Sequence, residues 1–281
     1  MTLRRKVLLI IIDGQPWRSA RRLNGNLEGW VQSGAARVWK MRSVLPSISA
    51  SCYASIHTGV SPQEHGVVSN LALSRLGQAD IFSQVKAAGG TTGAVTHSFW
   101  SIFFNRAPWD SVRDIEYDDA DAPITHGRFH TMTGYGHGNQ MTPSDADLFA
   151  TLTMLTQRHS IDYGIYHSCT LDCMGHGFGH DSAEMDHACA VLDASLAHFL
   201  PLWLKAGYEV AVTSDHGQTM RGHHGGREDA QQDVAFYWFG GGQGPADDTL
   251  LDQLALAPTL LGRMGADVPE TMRAAPFLTV D

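Results

Sequence analysis

Six consecutive aliphatic residues, Val7-Leu-Leu-Ile-Ile-Ile12, run straight into Asp13. A strand with no polar face has to be covered on both sides, as a parallel strand is between two layers of helices. Arg4, Arg5 and Lys6 precede the run, as in a secretory leader. Such leaders usually carry ~7–15 apolar residues, and this run is shorter and stops at a carboxylate. It is therefore read as a buried first strand. Further strands are expected at Thr91–Thr96, Tyr163–Cys169, Glu209–Thr213 and Val234–Phe239. Helix-like stretches lie between them at Ser49–Thr58, Ile81–Ala88, Pro143–Arg158, Ser182–Ala206 and Thr249–Met264. The alternation predicts an α/β fold with a largely parallel central sheet and helices on both faces.

The segment from about 100 to 141 breaks this rhythm. It is rich in aromatics (Phe99, Trp100, Phe103, Phe104, Trp109), then acidic at 118–121, then carries His126, His130, Tyr135 and His137. It is expected to be a small cap inserted into one catalytic domain spanning 1–281. No internal repeat or linker calls for a second domain.

A net charge of -9 argues against a nucleic-acid polymer or an anionic membrane as partner. No stretch approaches the ~20 apolar residues of a membrane helix. Cys52, Cys169, Cys173 and Cys189 fit neither a zinc ribbon nor a disulfide framework, so free thiols and a cytoplasmic, reducing address are expected. The oligomeric state is left open.

Three carboxylates sit at strand ends: Asp13 after the first, Asp172 after the third and Asp215 after the fourth. Ligands of open α/β sheets gather beyond the carboxyl ends of the strands, where these three would converge. One such Asp is commonly a turn former or helix cap. Histidines accompany these: His176 after Asp172, His216 after Asp215, then His223 and His224. Mixed carboxylate–imidazole sets suit zinc and similar cations, and two such sets make a two-metal centre. His176 and His180 have the spacing of a zinc-binding helix, but Gly175, Gly177 and Gly179 interleave them. Each glycine costs a helix about 1 kcal/mol against alanine, so a loop is expected, with His176 the ligand and His180 beside it. Of His223 and His224, the second is preferred.

Ser47, Ser49 and Ser51 alternate ahead of an expected helix. A serine there is most often an N-cap. It can also be a nucleophile, since a helix N-terminus favours an anionic phosphoryl group and a bound cation activates the hydroxyl. The segment alone does not choose among the three.

The set Ile12-Asp13-Gly14, Pro46-Ser-Ile-Ser49 through Thr58-Gly59, Glu64-His-Gly66, Asp172-Cys-Met-Gly-His176 and Ser214-Asp-His-Gly217 with His224-Gly225 resembles the alkaline phosphatase superfamily. Within it, the chain is most similar to the type I phosphodiesterase/nucleotide pyrophosphatase family, from about Lys6 to Gly241. The resemblance implies an alkaline-phosphatase-like fold and two divalent ions, zinc most often, with manganese or iron in relatives. One would be held by Asp172, His176 and His224. The other would be held by Asp13, Asp215 and His216, and also by the oxygen of Ser49. The family nucleophile stands ten residues before the Gly of the Thr-Gly pair, which selects Ser49. Many family diesterases carry Asn three residues on, where this chain has Cys52. Cys52, Asn70 and Trp100 are the expected substrate contacts.

The implied activity is hydrolysis of a small-molecule phosphate ester through a phosphoserine, of the phosphodiesterase/nucleotide pyrophosphatase type. A phosphomonoesterase or phosphonate monoester hydrolase would use the same site. Sulfatases need Cys or Ser in a Cys/Ser-x-Pro-x-Arg context, and Cys52-Tyr-Ala-Ser-Ile56 has neither Pro nor Arg. A non-catalytic phosphate-binding relative is a remote alternative.

Overall fold

The computed structural model describes residues 3–132 and 141–280. Nine strands form one sheet: β1 Lys6–Ile12, β2 Arg37–Arg42, β3 Thr92–His97, β4 Glu116–Asp118, β5 His126–His130, β6 Tyr163–Ser168, β7 Tyr208–Thr213, β8 Asp233–Phe239 and β9 Leu250–Asp252. Their order is β4-β5-β3-β6-β1-β7-β8-β2-β9. The central run β5-β3-β6-β1-β7 is parallel throughout, the pairs β4–β5, β7–β8 and β8–β2 are antiparallel, and β2–β9 is parallel. The aliphatic run occupies the middle of the sheet. Its alternate residues feed two cores: Val7, Leu9 and Ile11 enter one face, and Leu8, Ile10 and Ile12 enter the other. This is the two-faced burial its composition demands, and the expected fold class is the one observed.

Two sequence expectations are corrected and a third gains detail. The segment from 100 to 132, where a cap is expected, joins the main sheet. It contains a helix at Phe99–Phe104, then β4 and β5, and β5 pairs parallel with β3 in the main sheet. Its aromatics hide the rhythm because Trp100, Phe103 and Phe104 are all fully buried against that sheet. The remaining expected cap residues 133–140, with Tyr135 and His137, lie outside the described residues. The Thr249–Met264 stretch is a helix only from Leu256, because β9 and a single 3-10 turn (Gln253–Ala255) come first. Finally, Thr170–Phe178 is a helix despite its glycines. A Cβ at Gly175 would collide with the side-chain amide of Gln218, so the propensity cost there is set by close packing against the site. Gly179, at φ 79°, ends the helix.

The Ala183–Lys205 helix is, by length and mean hydropathy alone, apolar enough to cross a membrane. Here it lies on one face of the sheet. Leu192, Leu196, Leu200 and Trp203 are buried in that core, and Asp193 accepts from the backbone N–H groups of Asn26 and Leu27.

Candidate active site

Asp13, Asp172 and Asp215 meet beyond the carboxyl ends of β1, β6 and β7, which are neighbours in the sheet. Gly14 makes the convergence possible. It holds φ 75°, and a Cβ there would come within 2.9 Å of the Asp172 Cα. Its N–H donates to Asp215 Oδ1 at 3.2 Å. The Asp215–His216 turn is fixed from below, since Ser43 Oγ and Gln253 Nε2 both donate to the Asp215 carbonyl at 2.6 Å.

Two clusters result. In the first, His216 Nε2 lies 3.4 Å from Asp13 Oδ1, 3.3 Å from Asp215 Oδ2 and 3.2 Å from Ser49 Oγ. In the second, Asp172 stands 3.4 Å from His176 Nε2 and 3.6 Å from His224 Nε2, and those two nitrogens are 3.1 Å apart. The helix that the glycines argued against supplies this pair: Asp172 and His176 are four apart on one face of it. The imidazoles of His216 and His224 stack at 4.1 Å and join the clusters.

Donor chemistry fits a cation in each. His216 Nδ1 is 3.1 Å from the Gly217 carbonyl, and His224 Nδ1 is 3.2 Å from the Ser47 carbonyl. A carbonyl only accepts, so each Nδ1 carries the proton and each Nε2 offers a lone pair inward. Asp13 Oδ1 and Asp215 Oδ2, both buried, have no hydrogen-bond partner among the described residues. Buried carboxylate oxygens without donors are costly unless a cation takes them. Burial, then the charges of Asp215 and Asp172, push the Asp13 carboxyl well above its ordinary range. Burial, then Asp172, raise Asp215 to about 7. Burial works against Asp172 too, but its hydrogen bond with His176 and the surrounding histidines outweigh it and bring the carboxyl to about 2.

The three serines separate clearly. Ser47 Oγ donates to the Gly226 carbonyl at 2.8 Å, and Ser51 Oγ donates to the Val67 carbonyl at 2.7 Å. Ser49, the first residue of the Ser49–Thr58 helix, turns its hydroxyl to the ligands instead. Asn70 is exposed beside it, and its Oδ1 accepts from the Ala50 N–H at 3.0 Å. Cys52 and Trp100 are completely buried and offer no surface to a substrate. Trp100 packs on the Tyr53 ring at a centroid distance of 3.9 Å, and burial, then Asp215 and Asp13, push the Cys52 thiol far up.

Several contributors were not anticipated. The Tyr53 hydroxyl makes a short hydrogen bond to Asp13 Oδ2, which also lies 3.0 Å from His167 Nε2. Gln218 makes a short bond to Asp172 Oδ1 and receives His180 Nε2 at 2.8 Å. Tyr53 stands four residues after Ser49, on the same helix face, which is a usable signal. For His167 and Gln218 the sequence offered none beyond proximity to Asp172 and His216.

Sheet and ligand clusters together are those of a metal-dependent ester hydrolase. The model of the type I phosphodiesterase / nucleotide pyrophosphatase family matches residues 7–224, and the chain belongs to that family, whose members depend on divalent metals. No curated protein sequence matches it. Murine ectonucleotide pyrophosphatase / phosphodiesterase 5 is similar in structure, with TM-score 0.69 and 13% identity over 94% of this chain and 96% of that one. The human protein of the same name has TM-score 0.68 and 14% identity with the same coverage. A protein of glycosaminoglycan metabolism from Bacteroides thetaiotaomicron aligns at TM-score 0.69 and 12% identity, over 97% of this chain and 75% of that one. The murine protein has also been seen as an inactive threonine-to-alanine variant in complex with AMP.

Proposed function

We propose that this chain hydrolyses a phosphodiester or pyrophosphate linkage of a small nucleotide-like substrate through a phosphoserine at Ser49. The observation that carries the reading is Ser49 Oγ at 3.2 Å from His216 Nε2, beside two buried carboxylate oxygens that have no donor. Family membership and the AMP complex of the murine relative favour the nucleotide class.

Two divalent ions, one with Asp172, His176 and His224 and one with Asp13, Asp215, His216 and Ser49 Oγ, would neutralise the ester oxygens and lower the pKa of the attacking oxygen. Zinc suits these donors best. Ser49 sits in the first turn of its helix, where free N–H groups and the helix dipole favour an anionic phosphoryl group. Ser49 Oγ attacks phosphorus, the bond to the leaving oxygen breaks, and the serine proton ends on the departing alcohol or phosphate. A water then forms the new P–O bond, the P–Oγ bond breaks, and Ser49 recovers a proton. Asn70, whose Oδ1 accepts from the Ala50 N–H, would donate its amide N–H to a phosphoryl oxygen.

The test is hydrolysis of bis-p-nitrophenyl phosphate, p-nitrophenyl phosphate and p-nitrophenyl phenylphosphonate by zinc- and manganese-loaded protein beside Ser49→Ala. Diester preference that vanishes in the variant supports the reading. Monoester or phosphonate preference with the same loss moves the substrate class and keeps the site. Turnover unchanged in Ser49→Ala rejects it.

A further inference from the structure

On the β6 and β5 side of Asp13 lies a second set of ligand-type side chains, of which only His167 touches the site above, through its Nε2. His130 ends β5, His167 lies within β6, and Cys169 follows β6 directly, so all three project from the same carboxyl edge of the sheet. One ligand atom from each, two imidazole nitrogens and the thiol sulfur, lies within 4.8 Å of the others, and all three residues are buried. His130 is only 9% exposed, yet among the described residues neither of its ring nitrogens has a hydrogen-bond partner. Nearly every buried imidazole has a partner for its N–H, so this ring is oriented for something that is not a protein donor or acceptor.

The orientation of His167 is already decided. Its Nε2 lies 3.0 Å from Asp13 Oδ2 and 2.7 Å from the Tyr53 hydroxyl, whose own hydrogen goes to Asp13. A carboxylate only accepts, so Nε2 carries the ring proton and Nδ1 keeps the lone pair. That Nδ1 faces Cys169 Sγ at 4.0 Å. We propose that His130, His167 Nδ1 and Cys169 Sγ form a further cation site, distinct from the two clusters around Ser49, which takes a borderline or soft divalent ion such as zinc.

Two imidazoles and a thiolate exclude magnesium and calcium as preferred occupants. Around a tetrahedral zinc, such donors stand roughly 3.3–3.6 Å apart, so the pocket closes by little more than about 1 Å. Binding replaces the thiol proton, which leaves to solvent, and the fourth position is open to water. The ion holds the His167 ring with its Nε2–H on Asp13, so His167 is a positioning residue for that carboxylate.

Cobalt distinguishes this site from the others, because both clusters around Ser49 offer only oxygen and nitrogen donors. The full-length protein exchanged with Co²⁺ should show a near-ultraviolet sulfur-to-cobalt charge-transfer band, retained in Cys173→Ser and lost in Cys169→Ser. By elemental analysis of the zinc-loaded protein, His130→Ala should hold one equivalent fewer than wild type. If Cys169→Ser does not fold, as judged by circular dichroism, the His130→Ala band and count decide. A missing band in wild type, a band that survives in Cys169→Ser, or an unchanged zinc count in His130→Ala overturns the site. None of these readouts uses turnover, so their failure is separate from any failure of the hydrolase reading.

Discussion

The two ligand clusters share one chemistry but not one setting. Around Ser49, Asp215 and His216 are fully buried and Asp13 is 2% exposed. In the other cluster the side chains of Asp172, His176 and His224 are 11%, 16% and 12% exposed. The first rests on strand ends and retains carboxylate oxygens without donors, while in the second Gln218 already satisfies Asp172. An ion in the buried cluster would therefore be held more firmly, whereas one in the outer cluster would meet solvent and exchange more readily.

The largest effect should come from Ser49→Ala. Turnover is expected to fall by at least about 10³-fold with bound metal unchanged, read by steady-state kinetics beside elemental analysis. Loss of metal together with activity would mean that Ser49 is chiefly a ligand.

Asp215→Asn and His224→Ala break the comparison from opposite sides. Each should cost one equivalent of metal. Treatment of His130→Ala with a mild chelator should be biphasic, with the outer cluster emptied first, so adding His224→Ala should remove the fast phase and adding Asp215→Asn the slow one. A single phase in His130→Ala would make the burial difference irrelevant to exchange.

Tyr53→Phe and Gln218→Leu each remove one hydrogen bond to a ligand carboxylate. Outer partners of this kind are worth about 10–100-fold in metal affinity. Competition with a chromogenic chelator should assign the Tyr53 effect to the slow phase and the Gln218 effect to the fast one.

The smallest effect is on stability without metal. Asp215 is raised from 3.8 to about 7, so in the empty fold it keeps a proton that the unfolded chain has released. Its contribution is fully present below about pH 3.8 and is lost as pH rises through about 7. Metal-free wild type should thus lose melting temperature relative to metal-free Asp215→Asn over that window. An unchanged gap would show that another group titrates there.

The central strands and the Ser49–Thr58 helix were legible in the sequence because burial on both faces leaves an uninterrupted aliphatic run, and because the acidic residues fall where such runs stop. The order of motifs marked the ligand set, and the structure gathers those residues at one edge. What escaped was decided by tertiary contact. β2 mixes Arg37, Lys40 and Arg42 with Val38, Trp39 and Met41 out of strict alternation, and owes its place to pairing with β8 and to Arg42 bonding Asp233 at 2.6 Å. The Asp172 helix keeps its glycines because Gln218 occupies the space of a side chain. Cys52 was expected at the substrate because relatives carry Asn in its place, and Trp100 because its segment is rich in aromatics, but both are buried and Trp100 packs on Tyr53.

Ser47 stands apart from the reaction, yet it ties two distant stretches of chain together. Its hydroxyl accepts from the Gly225 N–H at 3.2 Å and donates to Gly226, and its carbonyl receives His224. His224 is thereby fixed relative to Ser49, two residues from Ser47, so on the proposed mechanism the gap offered to a phosphorus atom would be a manufactured tolerance. Substitutions that alter substrate choice would then fall on the walls around that gap and leave the gap itself unchanged.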